Sequence, residues 1–215
     1  MLYTIGRGLF RWIARAFFAL EIEGAEHVPE DGGVILAPNH VSYVDPVVVA
    51  VSLRRPVHFM GKQELFRNRA VARLLRGVHV FPVTRERVDP SSVKHMLSLL
   101  AAGHVVLMFP EGTRRDGQTL GPARSGIGVV AARSGAPVVP VFHLGSEKVL
   151  PRGARWFRRV PLRVRFGPPL RFGAGGAGGA RDRADRESAE AFGRQLMEAI
   201  AALRPTAEQP VSISR

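Results

Sequence analysis

The chain contains no cysteine, which excludes disulfide bonds, a thiol nucleophile and a thiolate metal site. Long hydrophobic runs are also missing: no uncharged apolar stretch reaches about 18 residues, so the sequence predicts no transmembrane helix. A third absence is the G-x-S-x-G sequence, in which many hydrolases hold their nucleophilic serine. Its absence argues against a serine-type lipid hydrolase.

Positive charge is what the chain has in excess. It carries 31 lysine and arginine residues against 18 acidic ones, and nearly all the basic residues are arginines. A surface with this net charge of +13 attracts polyanions, whether they are anionic lipids, nucleic acids or phosphorylated substrates. The 215 residues, 46% of them hydrophobic, suit one domain with a sizeable core.

Short apolar runs alternate along the chain with segments of helical pattern. This alternation favours a single layered α/β domain, assigned to residues 21–205, with a mixed, largely parallel sheet flanked by helices. A disordered tail is predicted at 206–215. Predicted strands cover 34–37, 57–60, 79–83, 105–109, 138–144 and 162–166, and predicted helices cover about 46–53, 67–76, 90–102, 122–134 and 183–203.

Residues 1–20 have the pattern of an amphipathic helix. Arg7, Arg11 and Arg15 recur every four residues and form a basic stripe, and apolar and aromatic residues occupy much of the remaining surface. Such a stripe beside Trp, Phe and Leu suits a helix that lies in a membrane interface. It predicts a peripheral protein at the cytoplasmic face of the cell membrane. The alternative is a helix packed on the domain's own core with its arginines in water.

A histidine and an aspartate, His40 and Asp45, stand five positions apart, just after one apolar run and just before another. At this spacing the carboxylate can accept a hydrogen bond from one ring N–H and leave the other ring nitrogen to take a proton. The alternative is that Asp45 only caps a helix and His40 is an ordinary loop residue. No protein nucleophile is evident nearby, so the attacking group can belong to the substrate. The other histidines lack metal-ligand spacing, and the sequence predicts no metal site.

Four sequence blocks follow one another in a recognisable order. They read N-H-V-S-Y-V-D-P at 39–46, G-K-Q-E-L-F at 61–66 with F-P-V-T-R at 81–85, F-P-E-G-T-R at 109–114, and A-P-V-V-P-V at 136–141. In this order they resemble the glycerolipid acyltransferases, the group that contains 1-acylglycerol-3-phosphate acyltransferase. The resemblance spans about 33–145.

The resemblance implies direct acyl transfer. His40 would act as general base on a hydroxyl of the acceptor, Asp45 would orient and stabilise His40, and the alkoxide would attack the thioester of an acyl-CoA or acyl carrier protein. The acceptor would be 1-acylglycerol 3-phosphate, a phosphorylated lysolipid, and the product phosphatidate. The acyl thioester is a co-substrate, and no cofactor or metal is implied. Glycerol 3-phosphate, another lysophospholipid or a lipid amino acid remains open as the acceptor.

The second and third blocks are also where the resemblance assigns binding of the acceptor's phosphate. Arginine suits this task because its planar guanidinium can bind two phosphate oxygens at once. We expect Glu111 to orient an arginine or a backbone amide, and we expect oxyanion donors among the amides near His40 or near Glu111 and Gly112. The predicted substrate-binding residues are Arg85, Glu111, Gly112, Thr113, Arg114 and Lys62.

Two non-enzymatic interpretations compete with this one. A protein that only binds anionic membranes would also fit the charge and the N-terminal helix. Nucleic acid fits less well, because no known binding motif is present and few aromatic residues stand among most of the basic ones. A basic and aromatic run between 152 and 165 is either a patch that faces membrane or coenzyme A, or a solvated face.

Overall fold

A computed structural model describes residues 2–83, 90–115, 117, 119–149, 156–173 and 186–205. The described strands are β1 (Glu21–Glu23), β2 (Val34–Pro38), β3 (Val57–Lys62), β4 (Val80–Val83), β5 (Val105–Leu107), β6 (Val138–Leu144) and β7 (Arg163–Phe166). The described α-helices are α1 (Leu2–Phe18), α2 (Asp45–Ser52), α3 (Arg69–Gly77), α4 (Pro90–Ala101), α5 (Ser125–Ser134), α6 (Ser146–Val149) and α7 (Arg186–Ala202). Short 3-10 helices cover Ala25–His27 and Gln63–Phe66.

The strands form one sheet in the order β1-β7-β6-β2-β5-β3-β4. The five neighbours from β6 to β4 are parallel to one another. β7 pairs antiparallel with β6, and β1 pairs parallel with β7, so β7 and β1 run in the opposite direction to the other five strands. The prediction of an α/β domain with a mixed, largely parallel sheet is confirmed.

The sequence pattern does not predict the outermost strand, β1, because this strand has only three residues and two of them are glutamates. Both glutamates pair with arginines of β7. Nη2 of Arg163 lies 2.7 Å from Oε2 of Glu21, and Nε of Arg165 lies 2.8 Å from Oε2 of Glu23. Cross-strand pairs of opposite charge therefore hold β1 in register where apolar alternation is too short to do so.

Each central strand buries both of its faces, which is why it reads as a continuous apolar run. In β2, Val34 and Leu36 join the core beneath α1 and α2, whereas Ile35 and Ala37 join a second core beneath α4, α5 and α7. Helices thus cover the two faces of the sheet.

The N-terminal helix is present as α1, and it combines features of the two interpretations that the sequence allows. It packs against α2 and buries Ala14, but Leu9, Phe10, Trp12 and Phe17 each expose more than half of their surface. Within the described residues, no helix combines the length and the apolarity needed to cross a bilayer.

Parallel strands bring the predicted motifs to a common edge of the sheet, because their carboxyl ends lie side by side. Residues 39–44 follow β2 and residues 108–112 follow β5, which is adjacent to β2. β5 ends at Leu107 rather than at 109, and α5 begins at Ser125 rather than at 122, so both boundaries leave longer loops at this edge than predicted. The predicted tail at 206–215 lies outside the described residues.

Candidate active site

His40 and Asp45 meet at this edge of the sheet. His40 lies two residues beyond the end of β2, and Asp45 is the first residue of α2, so the loop between them folds the carboxylate back onto the imidazole. Nδ1 of His40 lies 2.8 Å from Oδ2 of Asp45. Because a carboxylate only accepts hydrogen bonds, Nδ1 carries the proton and Nε2 is left as the basic nitrogen.

The Asp45 carboxylate is fully buried and is held by the loop that it closes. Its Oδ2 atom also accepts hydrogen bonds from the backbone N–H groups of Val41, at 2.7 Å, and Ser42, at 2.8 Å. Burial by itself raises the pKa of the Asp45 carboxyl, but neighbouring groups outweigh it and hold this pKa below its usual value. In order of effect these groups are His143, the His40 ring, the Ser42 amide and Ser146.

The imidazole of His40 lies flat against the ring of Phe109. The ring centroids are 3.7 Å apart and the planes differ by 18°. Phe109 therefore walls one face of the base, and only 10% of the His40 side chain reaches solvent. Two groups thus orient the His40 ring: the Asp45 carboxylate at Nδ1 and the Phe109 ring against its face.

Glu111 supports the backbone of this site rather than facing outward. It is 2% exposed, and its Oε1 atom accepts a hydrogen bond from the His40 N–H at 3.2 Å. Its Oε2 atom accepts from the Gly121 N–H at 2.9 Å and lies 3.5 Å from Nε of Arg115. The backbone N–H of Arg115 in turn donates to the His40 carbonyl at 2.7 Å. Glu111 thus accepts hydrogen bonds from two backbone amides and lies beside the Arg115 guanidinium.

Four of the amides proposed from the sequence as oxyanion donors are already used within the protein. The N–H of His40 donates to Glu111, and those of Val41 and Ser42 donate to Asp45. The N–H of Gly112 donates to the carbonyl of Phe109 at 3.1 Å. These four groups are therefore not aimed at a reacting carbonyl, which spacing along the chain could not reveal.

A groove of about 960 Å³ begins at His40 and runs between α4, α5 and α7. Its walls are largely apolar and include four of the chain's five methionines, a residue type whose flexible thioether adapts to irregular apolar shapes. Arginines and glutamates of α7 line another part of it. The groove-lining residues include Met60, Met96, Met108, Met197, Gly112, Arg124, Arg186 and Arg194.

Three of the predicted substrate-binding residues lie apart from this groove. Arg114 stacks over the ring of Tyr43, and Thr113 and Lys62 are exposed; none of the three lines the groove. Gly112 does line it. Arg85 lies outside the described residues. Among the described residues, no group of three or more histidine, aspartate or glutamate side chains is arranged to hold a metal ion.

Arg124 is a groove residue that the motifs do not indicate. It precedes α5, and its backbone N–H donates to the carbonyl of Pro110 at 2.8 Å. Its guanidinium passes beside Gly112, where an added Cβ would lie 2.5 Å from Nε of Arg124. Gly112 has φ +66°, a conformation that suits glycine, so its lack of a side chain serves both the turn and this close approach. The sequence offers no signal for Arg124 beyond one arginine among many.

Comparison with known proteins places the chain in a family. The family model described as "Acyltransferase" matches residues 19–144. The chain is 33% identical over 152 residues to the 1-acyl-sn-glycerol-3-phosphate acyltransferase of Bacillus subtilis, a match that covers 70% of this chain and 73% of the relative. It is 32% identical over 143 residues to a chloroplast enzyme of the same name from Brassica napus, covering 64% of this chain and 41% of that relative.

A solved structure supports the fold independently. The 1-acyl-sn-glycerophosphate acyltransferase PlsC of Thermotoga maritima superposes with a TM-score of 0.68 at 22% identity, covering 95% of this chain and 80% of that one. The fold is α/β, and the family model and the curated relatives identify an acyl-transfer enzyme. The chain belongs to the acyltransferase family, the family resemblance found in the sequence is confirmed, and the interpretation as a non-enzymatic binder is set aside.

Proposed function

We propose that the protein transfers a fatty acyl group from an acyl thioester to the free hydroxyl of 1-acylglycerol 3-phosphate and so forms phosphatidate. The observation that carries this proposal is the 2.8 Å contact between His40 and Asp45 at the head of a largely apolar groove. Relatives of about one-third sequence identity bear the name of this activity.

His40 is the general base of the proposed reaction. Its Nε2 atom takes the proton of the acceptor hydroxyl while that oxygen forms a bond to the thioester carbonyl carbon. The tetrahedral intermediate then collapses, the carbon–sulfur bond breaks, and the imidazolium returns the proton to the leaving sulfur. Asp45 stabilises the imidazolium without taking its proton, because its lowered pKa keeps it ionised. The acyl group passes directly between substrates, with no acyl-enzyme.

The acyl chain of the donor fits the groove. Its walls near Met96 and Met108 are apolar, and a flexible hydrocarbon gains free energy when it leaves water for such a surface. Four methionine side chains can adjust to chains of different shape. The thioester carbon would lie at the His40 end, where the acceptor oxygen also arrives.

The phosphate of the acceptor is assigned to two arginines near Gly112. Arg124 lines the groove next to Gly112, and Arg114 stands two residues beyond Gly112 and contacts Tyr43 in the loop that carries His40. Both can offer paired N–H donors to phosphate oxygens. Lys62, Thr113 and Arg85 remain predictions for the same task.

The protein is proposed to act as a peripheral enzyme at the cytoplasmic face of an anionic membrane. The exposed aromatic side chains of α1 suit an interface, and a second pair, Trp156 and Phe157, is 83% and 65% exposed. The segment with Trp156 and Phe157 is connected to α1, because Nε of Arg159 donates to the Phe17 carbonyl at the end of α1, at 3.0 Å. Arginines on both segments would add attraction to anionic headgroups.

The test is an acceptor panel with labelled acyl-CoA and acyl carrier protein, scored by product mass. Lysophosphatidate should give phosphatidate, and His40→Ala should abolish product while circular dichroism stays unchanged. His104→Ala is the matched control, since His104 is exposed and precedes β5 at the opposite edge of the sheet. Turnover of glycerol 3-phosphate, another lysophospholipid or a lipid amino acid in place of lysophosphatidate would reassign the acceptor. Full turnover by His40→Ala would reject the base.

A further inference from the structure

A second histidine, His143, lies buried beside the His40–Asp45 pair. It occupies the carboxyl end of β6, the strand adjacent to β2, and is 1% exposed. Its Nε2 atom lies 2.8 Å from the backbone carbonyl oxygen of Asn39 and 3.6 Å from Oδ2 of Asp45. Its sequence context suggests only an ordinary strand residue, yet it contacts the residue directly before the proposed base.

Asn39 returns this contact through its side chain. Its Nδ2 atom donates to the His143 carbonyl at 3.1 Å, and its Oδ1 atom accepts from the His143 N–H at 2.9 Å. The Asn39 amide thus pairs with the His143 backbone as a neighbouring strand would. Three hydrogen bonds therefore join two residues that are 104 positions apart in the chain.

The ring of His143 and the carboxylate of Glu111 hold opposite sides of one peptide unit. The Asn39 carbonyl accepts from His143, and the N–H of the same peptide group, which belongs to His40, donates to Glu111 at 3.2 Å. Because a peptide unit is planar, fixing its oxygen and its N–H fixes the orientation of the whole plane. That plane fixes the N–Cα bond of His40, and the Arg115 N–H that donates to the His40 carbonyl at 2.7 Å holds the next peptide group. Together the two peptide groups set the direction in which the Cα–Cβ bond of His40 leaves the backbone.

The hydrogen bond to the Asn39 carbonyl shows which ring nitrogen of His143 carries a hydrogen. A carbonyl oxygen only accepts, so Nε2 must carry a hydrogen. Nδ1 lies 3.1 Å from Oγ of Ser146, which is its hydrogen-bond partner. A buried leucine would fill this space without any need for partners, whereas a buried imidazole costs stability unless each nitrogen is paired. The pairing found here is therefore directed at the Asn39–His40 peptide.

We propose that His143 is a positioning residue for catalysis, which orients the general base through the Asn39–His40 peptide unit. This inference rests on the proposed function, because it presumes that His40 is the base. His143 acts on the chemical step and not on substrate binding, since it does not line the groove.

Two isosteric substitutions separate positioning from packing. In His143→Gln the side-chain amide nitrogen reaches the place of Nε2 and can still donate to the Asn39 carbonyl, whereas in His143→Asn it reaches only the place of Nδ1. The Gln variant should keep kcat near that of the wild type. The Asn variant should lose kcat by about 10- to 100-fold with little change in KM, as expected when a reacting group is misplaced slightly. Phe142→Leu, on the other face of β6, is the control for lost packing and should leave kcat unchanged.

Equal kcat values for the Gln and Asn variants would overturn the proposal, and so would a loss in Phe142→Leu as large as that in the Asn variant. If His143→Asn does not fold, His143→Ser replaces it, because it too has no donor at the place of Nε2 and should lower kcat more than KM. His40→Ala is assayed alongside. Activity in His40→Ala would reject the proposed function itself, whereas an inactive His40→Ala with an unaffected His143→Asn rejects only the inference.

Discussion

The guanidinium of Arg114 lies over the ring of Tyr43, with its Cζ atom 3.4 Å from the ring centroid. Tyr43 belongs to the loop between His40 and Asp45, and Arg114 belongs to the loop after β5. The contact therefore joins the loop of the proposed base to the loop of a proposed phosphate ligand. Tyr43 is 71% exposed, so its ring presents Arg114 at the surface of the site.

Removing this ring should weaken acceptor binding. In Tyr43→Ala, Arg114 loses the aromatic face that orients it, and KM for the lysolipid should rise by about two- to fivefold, the range expected for an exposed cation–π contact. Tyr43→Phe keeps the ring and should behave like the wild type. Initial-rate kinetics with varied acceptor would measure both, and an unchanged KM in the Ala variant would show that the stacking does not orient Arg114.

Asp45→Asn should abolish most of the activity without disturbing substrate binding. The amide can no longer serve as a charged acceptor for His40, so the imidazolium loses its support and the ring can adopt the wrong tautomer. The expected loss in kcat is about 10³- to 10⁴-fold. Because its partners outweigh burial and hold the pKa of the Asp45 carboxyl below its usual value, the wild-type residue stays ionised near neutrality. Asparagine cannot ionise, so raising the pH should not rescue the variant. Retention of about a tenth of wild-type kcat or more would contradict the assigned role.

The stability of the fold should fall as the solution becomes mildly acidic, because of His58. Burial, followed by the neighbouring His79, His104 and His95, lowers the pKa of His58 from 6.5 to about 4. The unfolded chain then binds a proton in this window that the folded chain does not, so the free energy of unfolding decreases as pH falls from 6.5 towards 4.

His58→Gln removes this titrating group. Urea unfolding at about pH 8 and about pH 5 should show a smaller difference in the variant than in the wild type. The measurement at the higher pH is the internal control, because His58 is neutral there in both the folded and the unfolded chain. Any difference in the free energy of unfolding between variant and wild type at that pH therefore comes from packing alone. A variant that loses as much stability between the two values as the wild type would exclude His58 as the source.

A larger side chain in the groove should change acyl-chain preference. Met96 lies on α4 and is buried at the groove wall, so Met96→Trp should fill space that a long chain needs. The ratio of kcat/KM for long over short acyl-CoA should fall. Ser98→Trp, on the exposed side of the same helix, is the matched control and should leave the ratio unchanged. An unaltered ratio in Met96→Trp would place the acyl chain elsewhere.

The sequence predicts the part of the site that is local or set by parallel strands. His40 and Asp45 stand close in the chain, and Glu111 comes to them because residues 39 and 108 both follow strands whose carboxyl ends are neighbours. The orienting role expected for Glu111 needs only this adjacency.

The rest of the site depends on features that spacing does not encode. His143 meets Asn39 only because β6 pairs with β2 so that Pro140 lies opposite Ala37 and Val141 opposite Pro38. Strand order and register of this kind follow from the packed sheet, not from one segment. The same is true of Arg124, whose place beside Gly112 depends on where α5 begins, and of the amides that already have partners.

Strands β1 and β7 run opposite to the other five strands, and their direction determines where α1 joins the domain. Since β7 opposes β6, Arg163 at the start of β7 lies opposite Leu144 at the end of β6, and Glu21 at the start of β1 lies opposite Arg163. The last turn of α1 is therefore delivered to the rim that holds His40, and the Phe18 carbonyl accepts from the Leu162 N–H there at 2.9 Å. If α1 docks on a bilayer as proposed, this rim would lie against the lipid. A lysolipid could then pass from the bilayer into the groove at His40 without crossing another face of the protein.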